Sequence, residues 1–333
     1  MTVRKRRLVG VAALVGFVAL TVVASLVIGA QSTSPAQVWH ALFAADASPG
    51  DELVWKLRMP RTLLGVMVGV ALGVAGALLQ GHTRNPLADT GLLGLNAGAA
   101  FAVVLSIHLL HITDPGGYIW FALLGSLIAA FIVFGVSALG RGGGDPLSLA
   151  IAGAAVTFFL QAMTNALALD DITAFDSFRF WIVGALGGRD LHVAAQVAPF
   201  LVVGLLLAAI NTPALNVLAL GEDTARALGG RVRVTRAVGL AAVALLSGAA
   251  TAACGPIAFL GLVVPHVARW ITGPDHRWLV PYSGLLGAAV LLAADVVGRV
   301  VVPPGELSVG IALAVFGAPC FVMLVRRRRL AVL

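Results

Sequence analysis

Apolar residues in this chain come in long blocks, and the polar residues are confined to short clusters between them. Blocks of about 20 apolar residues, enough to cross a hydrocarbon core of roughly 30 Å, recur along the whole sequence. Their limits, set against Gly, Pro, Asn and Asp turn signals, predict ten spans at 8–29, 61–81, 92–110, 118–139, 148–168, 193–210, 236–254, 257–272, 279–298 and 307–325. The seventh and eighth touch at "CGPIAFLG". The first follows a basic start, as a secretory signal would, but it is longer than a signal's apolar core of about 7–15 residues. It therefore reads as an uncleaved span, and residues 1–333 read as one transmembrane domain.

Charge placement gives these spans an orientation. With the N-terminus in the cytoplasm, the inner side holds sixteen of the 22 Lys and Arg residues. The outer side holds six: Lys56, Arg58, Arg61, Arg179, Arg189 and Arg299. Ten of the fifteen acids fall outside. This satisfies the positive-inside rule and puts both termini in the cytoplasm.

Composition agrees. The chain is 59% hydrophobic and 11% charged, with a mean hydropathy of +0.99, which fits an all-α polytopic membrane protein and no soluble domain of this size. The net charge of +7 belongs to topology and not to nucleic-acid binding. Cys254 and Cys320 form neither a disulfide framework nor a metal spacing.

Against that apolar background, "LGEDTARALGGRVRVTR" at 220–236 is out of place. It predicts a short cytoplasmic helix over 222–229, with Glu222 and Asp223 in its first turn, Arg226 inside and a Gly229-Gly230 stop. Such a helix is too short to be stable in water alone, so it reads as seated in a partner's groove or lying on lipid. At the opposite face, "LRMPRTLLG" places Pro60 in the first turn of the second span. Arg58 and Arg61 then flank a helix N-terminus, where cations are unfavourable unless an anion answers them. Arg299 ends the ninth span on the same face. Interfacial snorkelling with an Asp295–Arg299 pair and docking of an acidic partner or anionic substrate both account for these arginines.

The turn "GHTRNPLADTGLLG" returns to the membrane quickly and puts Asn85 and Leu87 near the inner mouth of any pathway, either as a plain loop or as a gate. "GPIAFLG" is either a tight turn between spans or irregular backbone of the kind found along translocation paths. His108 and His111 at i,i+3 lack a third ligand and read as interfacial. Few ionisable groups lie inside spans, which counts against a proton-coupled secondary transporter. Neither of the two lysines, Lys5 and Lys56, follows a phosphate-binding glycine loop, so the chain is not expected to hydrolyse ATP or to be an enzyme.

"LRMPRTLLGVMVGVALGVAGALLQGHTRNPLADTGLLGLNAGAA" resembles the signature of FecCD-type permeases, the membrane subunits of ATP-binding-cassette (ABC) importers for ferric siderophores, haem and cobalamin. The resemblance continues through "FWIVGALGGRDL", "LALGEDTARALG", "GPIAFLGLVVPHVARWITGPDHR", "LLAADVVGRV" and "PPGELSVGIALAVFGAP", covering about residues 50 to 326. It implies the type II ABC importer permease fold, with ten helices and pseudo-repeated halves, in a bacterial inner membrane. It also implies a second permease subunit, identical or homologous, and two cytoplasmic ATP-binding subunits that use ATP and Mg. An extracytoplasmic binding protein would deliver the ligand, and no cofactor or metal would be held by this chain.

Residue by residue, the resemblance makes Glu222, Ala225, Leu228 and Gly229 coupling-helix positions. It makes Arg58, Arg61 and Arg299 docking sites for the binding protein, and Asn85 and Leu87 part of the cytoplasmic gate. Pro146 and Leu147 depart from the small hydroxyl residues of the cobalamin permease gate, and Asp89-Thr90-Gly91 replaces the commoner Asp-Pro-Gly. The wording around "NPLADTGLLG" favours a ferric siderophore as cargo over haem or cobalamin; a secondary transporter of a metal complex is the rival from another class.

Overall fold

The computed structural model describes residues 3–29, 33–44, 48–139, 146–302 and 305–326, and all of their regular structure is helical. In chain order the elements are α1 (Val3–Val27), α2 (Pro35–Phe43), α3 (Pro49–Glu52), a π-helical stretch (Leu53–Arg58), α4 (Met59–Thr83), a 3-10 turn (Thr90–Leu93), α5 (Leu95–Leu110), α6 (Pro115–Leu139) and α7 (Pro146–Asp170). They continue with α8 (Ile172–Trp181), α9 (Leu191–Leu218), α10 (Glu222–Ala227), α11 (Val232–Cys254), α12 (Leu260–Thr272), α13 (His276–Val301) and α14 (Val309–Arg326). Each of the ten predicted stretches falls on one helix. Seven helices are long and apolar enough to cross a membrane, and α5 and Val309–Met323 are shorter apolar helices.

The start of the second stretch differs from expectation. The helix begins at Pro49, where the Ser48 side chain caps the Asp51 N–H, and continues unbroken past Pro60. Proline inside a helix normally forfeits a hydrogen bond and clashes with the preceding turn. Here the preceding turn widens to π geometry, with the Met59 N–H reaching Val54 O. Arg58 and Arg61 therefore sit inside a helix and not at its N-terminus.

Helix α4 forms the axis of the bundle, packed against α9, α11, α12 and α13. Glycine is what lets these backbones meet. A Cβ on Gly69 would strike Ala288 and Gly287, one on Gly73 would strike Ser283 O, and one on Gly76 would strike Gly261. Small residues at three- and four-residue spacing allow close packing where lipid removes the hydrophobic drive between helices.

Gly261 lies level with Gly76, two turns before α4 ends at Thr83, so α12 is a half-length helix. The extended segment 255–259 links it to α11. Its start is covered: Ala185 N–H bonds Cys254 O at 2.8 Å, and Gly255, at φ 77°, backs onto Trp181 O. "GPIAFLG" thus begins as irregular backbone with Gly255 and Ile257 buried against protein and Ala258 exposed, and runs into α12 at Leu260.

The glycine seam gives a direct test. Gly76→Val should destabilise the protein by about 1–3 kcal/mol through overpacking, lowering the thermal midpoint in detergent. Gly16→Val, where nothing stands within 4 Å, should leave it unchanged. Equal midpoints for the two variants would mean that α4 and α12 do not touch.

Candidate functional site

Two ends of the bundle carry polar clusters. At the end away from α10, Arg58, Arg61 and Arg299 line one cavity of about 640 Å³, together with Lys56, Arg189 and Glu306. Two of the three arginines turn inward. Arg58 is 5% exposed and Arg299 3%. Arg58 donates to Leu26 O at 2.5 Å, Val27 O at 2.6 Å and Thr33 Oγ1 at 2.5 Å. Arg299 donates to Ser25 O at 2.7 Å, Ser25 Oγ at 3.0 Å and Ile28 O at 3.1 Å.

The last carbonyls of a helix have no partner of their own and carry its negative dipole end. Two guanidinium groups fill that role for α1. Asp295, with no exposed surface, then joins two helices: Arg299 pairs with it one turn along α13, and Arg61 on α4 grips it through Nη2 at 2.8 Å and Nε at 3.0 Å. Arg61 also reaches Glu306 at 2.5 Å. The i,i+4 pair is legible in the sequence; the contacts from Arg61, Glu306 and Ser25 join residues more than 200 positions apart and leave no local signal.

At the α10 end, Gly221 at φ 113° opens the short helix, and its four-residue bonding ends at Leu228 N–H to Thr224 O. Gly229 follows at φ 81°, and Gly230 N–H closes on Ala225 O at 2.8 Å. Ala225 is buried against the bundle, whereas Leu228 is 65% exposed. Glu222 pairs with Arg226 at 3.0 Å and also with Arg236 on α11. Arg226 stands one turn from Glu222 within the same helix, whereas Arg236 lies on the next helix and leaves no local signal.

Asn85 and Leu87 lie at the same end. Asn85 Oδ1 accepts from Leu87 N–H at 2.9 Å, the side-chain turn expected of an Asn-Pro step. Asn85 is exposed and Leu87 half-buried. Just before them, Arg84 donates to Leu218 O at 2.8 Å, at the last residue of α9. The loop and α10 are therefore attached to the same helical turn. Asp89 caps the 3-10 turn, its Oδ2 accepting from Gly91 N–H at 3.3 Å. Leu147 is exposed on α7; the side chain of Pro146 lies outside the described residues.

His108 faces Asp171 at 3.5 Å. Hydrogen bonds from Ala174 N–H and Thr173 N–H, with His108 alongside, hold the Asp171 carboxyl below the usual carboxylate range. Among the described residues no three His, Cys, Asp or Glu side chains gather as metal ligands.

A family model described as "FecCD transport family" matches residues 17–327. The chain is 46% identical over 305 residues to the ferric enterobactin transport system permease protein FepD of Escherichia coli (strain K12), covering 91% of each. It is 37% identical to the hemin transport system permease protein HmuU of Yersinia pestis, covering 90% of each. A solved inward-facing metal-chelate type ABC transporter superposes with a TM-score of 0.83 at 26% identity, covering 95% of this chain and 98% of that one.

Charge burial at Asp295 yields the next test. Asp295→Asn keeps the shape but removes the charge partner of buried Arg299 and one of the two carboxylates that answer half-buried Arg61, a loss of about 3–5 kcal/mol. Glu306→Gln, at a rim position 37% exposed, should change stability by less than about 1 kcal/mol. Thermal midpoints of the two purified variants decide the matter, and near-equal midpoints would show that Asp295 does not hold α4 to α13.

Proposed function

The chain belongs to the FecCD transport family, and from that membership we propose that it is the membrane-spanning subunit of an ATP-driven importer of ferric siderophores. The observation that carries the cargo class is the 46% identity to a ferric enterobactin permease, against 37% to a hemin permease. Haem or cobalamin is the alternative cargo within the family.

In this reading the ten helices matching the predicted spans cross the inner membrane with both termini cytoplasmic. A second permease copy or homologue completes the pathway, and an extracytoplasmic binding protein delivers the chelate to the end bearing Arg58, Arg61 and Arg299. Arg61 and Lys56 at the cavity rim meet the partner's acids. Arg58 and Arg299, turned inward, hold that rim in place and add to its positive field. ATP and Mg act on two partner subunits, and this chain binds no cofactor.

Helix α10 is the coupling helix. Its exposed Leu228 and its neighbour Leu220, each 65% exposed, offer apolar surface to an ATPase groove, while buried Ala225 faces the bundle. Closure of the ATPases moves α10. The last turn of α9 passes that movement through the Arg84–Leu218 bond to the loop carrying Asn85 and Leu87, which closes or opens the cytoplasmic exit.

Uptake of radio-iron from a panel of ferric siderophores, with haem and labelled cobalamin alongside, tests the proposal. One ferric chelate should lose uptake when the chain is deleted. The Glu222→Arg, Leu228→Asp pair should lower the same uptake at least about tenfold, as expected when an interface anchor is lost. Uptake that survives the altered helix but not the deletion means another energy source drives the chain. Loss of haem or cobalamin uptake alone reassigns the cargo.

A further inference from the structure

Two cavities adjoin at the α10 end. The larger, about 640 Å³, is a groove between α9 and α13 with Val70 and Val74 of α4 as its floor. Its walls are apolar apart from Thr212 and Arg277. The smaller, about 370 Å³, is bounded by Leu228, Gly229, Gly230 and Arg231 next to α10. Pro213 and Arg277 line both, so the two lie side by side against the same pair of residues.

Both walls are opened by proline. Pro213 in α9 and Pro281 in α13 lack the N–H that would bond Ala209 O and Arg277 O. All four residues border the groove. From Leu205 to Pro213 it runs about 12 Å along α9, at 1.5 Å per residue.

Charge at the junction is one-sided. Arg231 and Arg277 are exposed. No carboxylate lines either cavity, and the acids close by in sequence are engaged: Asp275 by Asn216 Nδ2 at 2.8 Å and Arg277 N–H at 3.0 Å, and Glu222 and Asp223 by Arg226, with Arg236 also on Glu222. An apolar channel running along the helices and ending in two unanswered cations has the shape and charge of one acyl chain with an anionic head.

We infer that an anionic phospholipid of the inner leaflet occupies this space, its chain over Val70 and Val74 and its phosphate between Arg231 and Arg277. The inference rests on the reading above that places the α10 end in the cytoplasm. A basic pocket between helices at that depth is where anionic headgroups are held. The headgroup would touch Gly229 and Gly230, which end α10, making the lipid part of the joint between the coupling helix and the bundle. A zwitterionic headgroup would bring an ammonium against the same cations.

Native mass spectrometry of the purified full-length chain, loaded with either phosphatidylglycerol or phosphatidylcholine in detergent, reads this directly. Lipid retention is measured whatever the chain transports, so the outcome is independent of the uptake assay. Wild type should keep phosphatidylglycerol under detergent washing that removes phosphatidylcholine. Arg231→Gln with Arg277→Gln should lower phosphatidylglycerol retention about thirtyfold, the effect of two cations on an anionic head. Ala209→Trp, at an exposed groove position, should displace the chain and lower retention of both lipids. Equal retention of the two lipids by wild type overturns the inference, as does a preference that survives the double variant. Unchanged retention in Ala209→Trp places the lipid elsewhere and overturns it too. If wild type carries neither lipid and Ala209→Trp instead breaks pairing between two copies, the groove is a subunit interface.

Discussion

Close approach of α4 to its four neighbours is the condition on which the architecture rests. Between helices surrounded by lipid, apolar side chains gain little from meeting each other, so contact must come from backbone proximity and hydrogen bonds. Gly69, Gly73 and Gly76 provide the proximity to α13 and α12. Gln80 provides the hydrogen bonds. Pro265 lacks the N–H that would answer Gly261 O, and Gln80 Nε2 reaches toward that carbonyl at 3.4 Å and bonds Leu262 O at 3.0 Å. A broken turn in α12 is thus repaired from α4, and this lets a half-length helix start deep in the bundle.

Charge is handled by the same rule. A buried guanidinium is tolerable only when acceptors surround it, and each of the buried arginines at the end away from α10 finds them. Arg58 and Arg299 take the carbonyls at the end of α1, and Asp295 takes Arg61 and Arg299. The result links α1, α4 and α13, which otherwise share few polar contacts. Arg61 touches both the buried carboxylate and Glu306, so it connects what holds the helices to the cavity they surround.

Much of this was legible in the sequence, and the limits are physical. Apolar block length located ten helices, seven of them long enough to cross a membrane, because burial in lipid demands an unbroken apolar run. The end of the short helix was written in Gly229, whose positive φ few other residues adopt. The start of the second stretch was not legible. Pro60 looks like a first-turn residue, and nothing local announces that a π turn will carry the helix through it. The inward turn of Arg58 and Arg299 was not legible for a related reason: their carbonyl acceptors at the end of α1 are distant in sequence and silent in composition. The partners of Glu222 split the same way, since Arg226 follows from i,i+4 spacing while Arg236 belongs to the next helix.

What remains is why a six-residue helix is ordered at all. Isolated helices under about 12 residues are marginal in water, and the exposed Glu222–Arg226 pair adds only a few tenths of a kcal/mol. Order must come from attachment. Ala225 is buried against the bundle, Glu222 is tied to α11 through Arg236, and the turn from α9 is closed by Leu220 N–H to Val217 O and Gly221 N–H to Leu218 O, both at 3.1 Å. Around the same turn of α9, Arg84 holds Leu218 O and Asn216 holds His276 and Asp275. One helical end therefore collects bonds from α4, α13 and, through α10, α11. A force on α10 cannot be absorbed locally, because every restraint that orders it leads to a different helix of the bundle. That property arises because α10 is too short to hold itself together, and it is what the proposed coupling role requires.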